Sequence, residues 1–339
     1  MKLGQIDINN KLKTISLFCC AGGADLGLTG GFKYLNKIYK KHPTEIIHAS
    51  DIDQKAINSY NLNFKNKGIA ENIRSLDFSS LSGDLIIGGF PCQAFSTVNP
   101  TKNPDKKENQ LFWEMANVIK LIKPRVFIAE NVKGFYQLKK GKYFKQALNI
   151  FNNIGYKTFH TILNASDFGA PQKRQRLFIV GFNNSIAPKY FNFPSPTHGD
   201  HPLRKKAILD DVIDSLIPND EKYYFSKRAV EGAKRAKPNM KRALAQDLND
   251  QCLTITSHLA KVSINSRDPV LLVDEKNEKY RRFTPTEAAR IQSFPERFKF
   301  SGSEADAYRQ IGQAIPPVLM WHLTKSVIET LNKLPQSDA

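Results

Sequence analysis

Long apolar runs, metal-spaced cysteines and acidic side chains are what this sequence is short of. No stretch approaches the ~18–20 uninterrupted apolar residues of a membrane-crossing helix, and Met1 to Asp7 lacks the apolar run of a secretory leader. The chain is therefore expected to stay in the compartment where it is made, with no membrane partner. Its four cysteines, at 19, 20, 92 and 252, form no C-x-x-C pair and no metal-ligand spacing, and the adjacent pair at 19 and 20 is badly placed for a disulfide. Free thiols in a reducing compartment follow, with no metal expected. Acids number 32 against 50 lysines and arginines, a formal net charge of +18. That imbalance predicts a polyanionic partner, nucleic acid first; a solvated lysine-rich surface is the blander reading. Repeats and low-complexity tracts are absent.

With 339 residues, 41% of them hydrophobic, the chain has enough apolar surface for one large core and a second, smaller module. The most informative stretch runs from Asp84 to Thr97. There Leu85-Ile86-Ile87 reads as a buried strand that ends in Gly88-Gly89-Phe90 and then Pro91-Cys92-Gln93. Such a strand delivers Cys92 to its carboxyl end, where open α/β sheets carry out their chemistry. A free cysteine is more often a small buried hydrophobe, but the glycines, the proline, Ser96 and Thr97 argue for a loop and a nucleophile. Upstream, Thr14 to Phe18 reads as a first strand. The turn Cys19-Cys20-Ala21-Gly22-Gly23 and the helix-like Ala24 to Leu28 follow it, a place where backbone can approach an adenosyl-type ligand closely. A second strand, Glu45 to Ser50, ends at Asp51, a candidate acceptor for ribose hydroxyls, and Asp53 to Phe64 reads as a helix. Asp77 is placed to accept from an adenine amino group, with Phe78 packing the ring; capping is the alternative for either aspartate.

Residues 97–110 hold two prolines and three lysines and almost nothing apolar, the composition of either a mobile basic lid or a surface insertion. A helix is predicted over Leu111 to Ile122, then a strand over Arg125 to Ala129 that presents Glu130-Asn131-Val132 at its mouth. Partial desolvation there would raise the Glu130 pKa. A helix from Lys142 to Ile154 and a strand from Lys157 to Asn164 lead through a turn at 167–171 to Gln172-Lys173-Arg174-Gln175-Arg176, which enters the strand Leu177 to Gly181. Arginines two apart in extended chain point the same way, which suits clamping an anion or a base carbonyl. Composition changes after Phe182. Between 227 and 242 seven lysines or arginines face one acid, either a phosphate-binding face or a solvated helix flank. Strands over 250–257 and 269–273 suggest a small β-rich module. Thr284, Pro285 and Glu287 spell a capping box, and Tyr308 opens a last amphipathic helix to about Leu334.

Four of these motifs, Gly-Gly-Phe-Pro-Cys-Gln (88–93), Glu-Asn-Val (130–132), Gln-Lys-Arg-Gln-Arg (172–176) and Arg-Arg-Phe-Thr-Pro-Thr-Glu-Ala-Ala-Arg-Ile-Gln-Ser-Phe-Pro (281–295), stand in this order. The set resembles the cytosine-5 DNA methyltransferase family, the bacterial modification enzymes above all, over most of the chain. The resemblance implies an α/β fold in which a doubly wound, Rossmann-like methyltransferase lobe, residues 1–183 plus 305–339, carries a smaller β-rich target recognition lobe over 184–304. It implies S-adenosylmethionine as cofactor, held by Phe18, Ala21, Gly22, Gly23, Asp51, Ile52, Asp77, Phe78, Pro91, Leu111, Gln313 and Ile315, and S-adenosylhomocysteine as product. Cys92 would add to carbon 6 of a flipped-out cytosine, Glu130 would hold or donate a proton at N3, Arg176 would bind the carbonyl oxygen, and Arg174 the adjacent phosphate or Glu130. Gln93, Ser96, Lys173, Arg228 and Arg242 would touch double-stranded DNA. A monomer in the bacterial cytoplasm is implied, with a possible restriction endonuclease acting on the same site without a stable complex. Two positions depart from the family pattern: Cys20 stands where its first turn has a glycine, and Gln313 where its closing motif has an asparagine. Transfer RNA as substrate, an inactive DNA-binding scaffold and a nicotinamide-dependent dehydrogenase are the rival readings. The last lacks a full G-x-G-x-x-G and leaves Cys92 unexplained.

Overall fold

Leu85-Ile86-Ile87 and Val126-Phe127-Ile128-Ala129 are apolar at every position, the pattern of strands covered on both faces. A computed structural model describes residues 11–90, 111–214, 220–236, 244–261 and 270–334. Pro91, Cys92, Gln93, Ser96, the 97–110 segment and Arg242 lie outside the described residues. The strands are β1 (Leu12–Leu17), β2 (Phe32–Tyr34), β3 (Lys37–Tyr39), β4 (Thr44–Asp51), β5 (Ile69–Ala70), β6 (Leu85–Gly89), β7 (Val126–Val132), β8 (Tyr156–Asn164), β9 (Gln172–Lys173), β10 (Gln175–Asn183), β11 (Cys252–Leu253), β12 (Leu271–Asp274) and β13 (Lys279–Arg281). The α-helices are α1 (Gly23–Thr29), α2 (Gln54–Asn63), α3 (Leu111–Ile122), α4 (Lys133–Gln137), α5 (Lys142–Asn153), α6 (Lys227–Ala236), α7 (Pro285–Ile291), α8 (Glu304–Gln313) and α9 (Pro317–Leu331).

The main sheet has the order β5-β4-β1-β6-β7-β10-β8. Its first five strands are parallel, and β10 runs antiparallel to both of its neighbours. The chain steps outward from β1 to β4, then crosses back to place β6 on the other side of β1. Strand order thus reverses between β1 and β6, and the crevice at their carboxyl ends is where open α/β sheets bind ligands. Alternate residues of the central strands feed two separate cores. Leu85, Ile87, Val126 and Ile128 pack with α1 and α9, while Ile86, Phe127 and Ala129 pack with α3 and α5.

The last helix differs from its sequence expectation. One helix from Tyr308 to Leu334 is in fact α8 and α9, separated at Ala314, Ile315 and Pro316. Consecutive prolines at 316 and 317 supply no N–H, and the residue before a proline is driven to extended backbone, so the α8 ladder ends there and a new helix starts with proline in its first turn. That break places Gln313 to Ile315 over the sheet edge.

Between 184 and 304 the described residues include only short strands: β12 and β13 pair with each other, and β11 pairs in parallel with β9. The β-rich expectation for this region is thereby reduced to small two-stranded pieces among helices and turns. Val230, Ala233, Leu244, Val270 and Tyr280 form one local core. A second, with Cys252, Ile255, Phe283 and Ile291, continues into Tyr308 and Ile311 of α8. The capping box at Thr284 and Glu287 is present, and its glutamate is also fully buried. Arg281 grips both of its carboxylate oxygens at 2.7 Å, so one side chain closes a helix end and neutralises a buried guanidinium. Among the described residues no helix is long and apolar enough to cross a membrane.

Candidate active site at the carboxyl edge of the sheet

At the point of strand reversal the chain leaves β1 through a turn that bends sharply. Phe18 and Cys20 have φ of +54° and +48°, and Gly22, at +93°, begins α1. Side chains are excluded here. A Cβ on Gly22 would lie 2.3 Å from the Phe64 ring, and one on Gly23 2.7 Å from the Ile315 carbonyl oxygen. The result is a narrow cleft whose walls include Phe18, Cys20, Gly23, Gly88, Gly89, Glu130, Gln313 and Ile315. Of the predicted cofactor contacts, Phe18, Gly23, Gln313 and Ile315 line it directly, whereas Ala21 is buried and Gly22 serves the turn. Ile52 is exposed beside Asp51, and Leu111 is the first residue of α3. Sequence reasoning missed Ser16, Ile128 and Met320 in the walls. Met320 carries no sequence signal, being one apolar residue of an apolar helix.

Asp51 sits at the end of β4 as expected, and its carboxylate already accepts from the backbone of Cys20 and of Asp53, each at 2.9 Å. Burial holds its pKa above the ordinary carboxylate value. Each oxygen retains a free lone pair for a further donor. Asp77 and Phe78, like Asp51, lie outside the walls of this cleft. Asp77 is exposed and accepts from the Ser79 N–H at 2.8 Å, the capping alternative, while Phe78 is buried edge-on to His48, so its ring is spent on the core.

Beneath the cleft lies an acid the sequence did not flag. Asp25, fully buried in α1, accepts from the Tyr60 hydroxyl at 3.1 Å through Oδ1, and the Ser16 hydroxyl also hydrogen-bonds its carboxyl. Burial pushes its pKa up to about 6 from the ordinary 3.8. A folded-state pKa above the unfolded one means that this carboxyl's contribution to stability is complete below pH ~4 and disappears as pH rises through ~6, a swing of roughly 3 kcal/mol. Asp25→Asn keeps the Tyr60 bond and removes the charge. It is expected to unfold at a higher temperature than the parent at pH above ~6 and to match it at low pH. Equal melting curves at both pH values would refute this.

Glu130 extends β7 beyond the predicted strand end, one strand across from Gly89. Arg176 Nε lies 3.1 Å from Glu130 Oε1, with both side chains only 13% exposed. A Cβ on Gly89 would come within 3.1 Å of Glu130 Oε2, so the glycine keeps that oxygen accessible. Burial raises the Glu130 pKa, and the charges of Arg176 and Arg174 pull against it without cancelling the effect. Next door, Asn131 Nδ2 donates to the Phe90 carbonyl at 3.2 Å, anchoring the backbone that leads into Pro91 and Cys92. The Glu-Asn pair therefore combines a carboxyl whose pKa is raised by burial with an amide that holds the end of the strand before Pro91.

Arg174 acts on Glu130 through its charge alone and makes no hydrogen bond to it. It is 2% exposed, and its guanidinium donates to three backbone carbonyls: Ile255 at 3.0 Å, Gly312 at 2.9 Å and Ala314 at 3.0 Å. The side chain is a pin between the 252–257 segment and the α8–α9 break. Gln172 reinforces it, accepting from Ile255 N at 3.0 Å and donating to Gln292 at 2.6 Å. Lys173 faces solvent on the opposite side and pairs with Asp250. Arg228 projects from the exposed side of α6.

Comparison with known proteins agrees with this arrangement. The profile of the C-5 cytosine-specific DNA methylases matches residues 12–329. The type II methyltransferase M1.ScrFI of Lactococcus lactis subsp. cremoris is 32% identical over 327 residues, which is 95% of this chain and 79% of that protein. M.FnuDI of Fusobacterium nucleatum is 30% identical over 338 residues, 94% and 95% of the respective chains. Among solved structures, the Entamoeba histolytica methyltransferase EhMeth superposes with a TM-score of 0.72 at 18% identity, covering 95% of this chain and 99% of that one. The S. pombe Dnmt2 methyltransferase does so with 0.72 at 21% identity, over 95% and 99%. These two likenesses concern the fold.

Proposed function

Because the chain belongs to the C-5 cytosine-specific DNA methylase family, we propose that it methylates carbon 5 of a cytosine extruded from duplex DNA, with Cys92 as nucleophile and Glu130 as the group that holds the proton at N3. The observation that carries this assignment is the Glu130–Arg176 pair, buried in the cleft wall beside the strand that runs into Pro91-Cys92.

S-adenosylmethionine, when bound, supplies the methyl group. The cleft suits it: side chains are missing from its walls at Gly23, Gly88 and Gly89, and Asp51 stands at the end of the neighbouring strand β4 as an acceptor for ribose hydroxyls. Phe18, Gln313 and Ile315 would complete the enclosure.

Carbon 5 of cytosine is a poor nucleophile until a thiolate adds at carbon 6, and that addition drives negative charge toward N3 and the carbonyl oxygen. Glu130, its pKa raised by burial, retains a proton that a solvent-exposed carboxyl would have lost, and offers it at N3. Arg176 orients that carboxyl and faces the carbonyl oxygen. After methylation, water would take the carbon 5 hydrogen as a proton, N3 would return its proton to Glu130, and the electron pair would expel sulfur as the Cys92 thiolate, restoring the aromatic ring.

A base cannot be reached inside the stack, so it must swing out at a cost of about a few kcal/mol, which phosphate contacts along a chain of charge +18 help offset. Lys173, Arg228 and the 184–304 region would supply contacts to the duplex, with the rest of the chain as the catalytic lobe. The reading extends to a monomeric modification enzyme of a restriction system in the bacterial cytoplasm. Incubation with labelled S-adenosylmethionine and 5-fluorocytosine-substituted duplex DNA tests the assignment. A denaturation-resistant protein–DNA adduct is expected, since fluorine cannot leave carbon 5 as hydrogen does; label appearing only in transfer RNA, or no adduct, would overturn it.

A further inference from the structure

Cys20 and Gln313, the two positions that break the family's pattern, touch each other. Cys20 Sγ lies 3.9 Å from Gln313 Oε1 and 3.7 Å from the Gln310 carbonyl, so the turn after β1 and the end of α8 meet at the mouth of the cleft. Each partner is held independently. The Cys20 N–H is fixed on Asp51, and the Gly312 and Ala314 carbonyls flanking Gln313 are fixed on Arg174.

The contact offsets a local strain. Cys20 has φ of +48°, in the left-handed region where a glycine pays nothing and a side chain costs energy. Its retention there requires a compensating interaction of the side chain itself. Burial and the neighbouring Asp51 charge hold its pKa well above the ordinary thiol value, so the sulfur keeps its one hydrogen, which the two oxygens share or alternate in accepting. Glutamine is one methylene longer than asparagine, and that length brings its amide within reach of the thiol.

We propose that Cys20 and Gln313 act as one coupled pair of positioning residues that closes the cofactor cleft, each tolerated because the other is present. The inference rests on the assignment of the cleft to S-adenosylmethionine. It makes the two departures a single change, with binding affinity lost when either side is reverted alone and recovered when both are.

The test is a double-mutant cycle read by calorimetric titration of S-adenosylhomocysteine into the full-length protein, with melting of the ligand-free protein as a folding control. Cys20→Gly and Gln313→Asn are each expected to weaken binding about fivefold, and the double variant to return to within about twofold of the parent. Cys20→Ser, which keeps a donor, is expected to stay within about twofold of the parent. Cys20→Gly relieves strain and should not lower the melting temperature, which separates a loss of positioning from a loss of fold. Effects that multiply in the double variant would overturn the pairing alone. A parent protein that binds no S-adenosylhomocysteine would overturn the cofactor assignment and the pairing with it.

Discussion

Glu130→Gln is expected to lower kcat for methyl transfer by about a hundredfold to ten-thousandfold while leaving S-adenosylhomocysteine affinity nearly unchanged. The substitution preserves shape, and the amide oxygen still accepts from Arg176 Nε, now 3.1 Å from the carboxylate. What is lost is a transferable proton. In the parent, burial raises the Glu130 pKa, and an acid so shifted stays protonated to higher pH than a solvent-exposed one before losing its proton. Activity should therefore fall on the alkaline side as this carboxyl ionises, and that limb should be missing from the glutamine variant. Single-turnover methylation across the neutral range, paired with calorimetry, measures both quantities. A variant with parental kcat would remove Glu130 from the chemistry.

Arg174→Met should unfold at a melting temperature several degrees lower, from a loss of about 3 kcal/mol or more, because three carbonyls lose their donor in a dry interior. Methionine fills much of the arginine stem's volume, so the loss reports the hydrogen bonds more than a cavity. The same change frees Gly312 to Ala314, next to Gln313 and Ile315 in the cleft wall, and S-adenosylhomocysteine should bind more weakly as well. A phosphate-clamp role predicts the opposite pattern: unaltered melting, with reduced and less salt-dependent DNA binding. That pattern belongs to Lys173, whose Asp250 partner is also exposed and whose loss should cost less than about 1 kcal/mol.

Much of the catalytic lobe was legible because its boundaries are written locally. Asp53 caps α2 through bonds to Lys55 N and Ala56 N, Pro124 follows the end of α3, and unbroken apolar runs announced β6 and β7. The raised pKa of Glu130 followed from one local fact, a carboxyl at the mouth of a buried strand. The two arginines were not separable in this way. Side chains two apart share a direction only along a continuous strand, and Arg174 falls in the gap between β9 and β10, where the alternation is interrupted. The acceptors that claim it come from Ile255, Gly312 and Ala314, about 80 to 140 residues away, and no window of sequence contains them. A strand over 250–257 was read from sequence, but the pairing of β11 with β9 was hidden for the same reason. Phe78 was misjudged because an aromatic beside a site aspartate reads alike whether its ring faces ligand or core.

The packing of α9 against α1, with Met320 and the Gln313 to Ile315 segment in the cleft wall, bears on the order of biosynthesis. A ribosome that has finished the first three hundred residues has made β1, β6 and β7 but not the wall that faces them. The earliest strand waits for almost the latest helix, so a partly translated chain has no closed cleft in which to hold a methyl donor. Genome protection by this protein would begin only as the α9 segment clears the exit tunnel, and a nascent chain stalled before that point would contribute none.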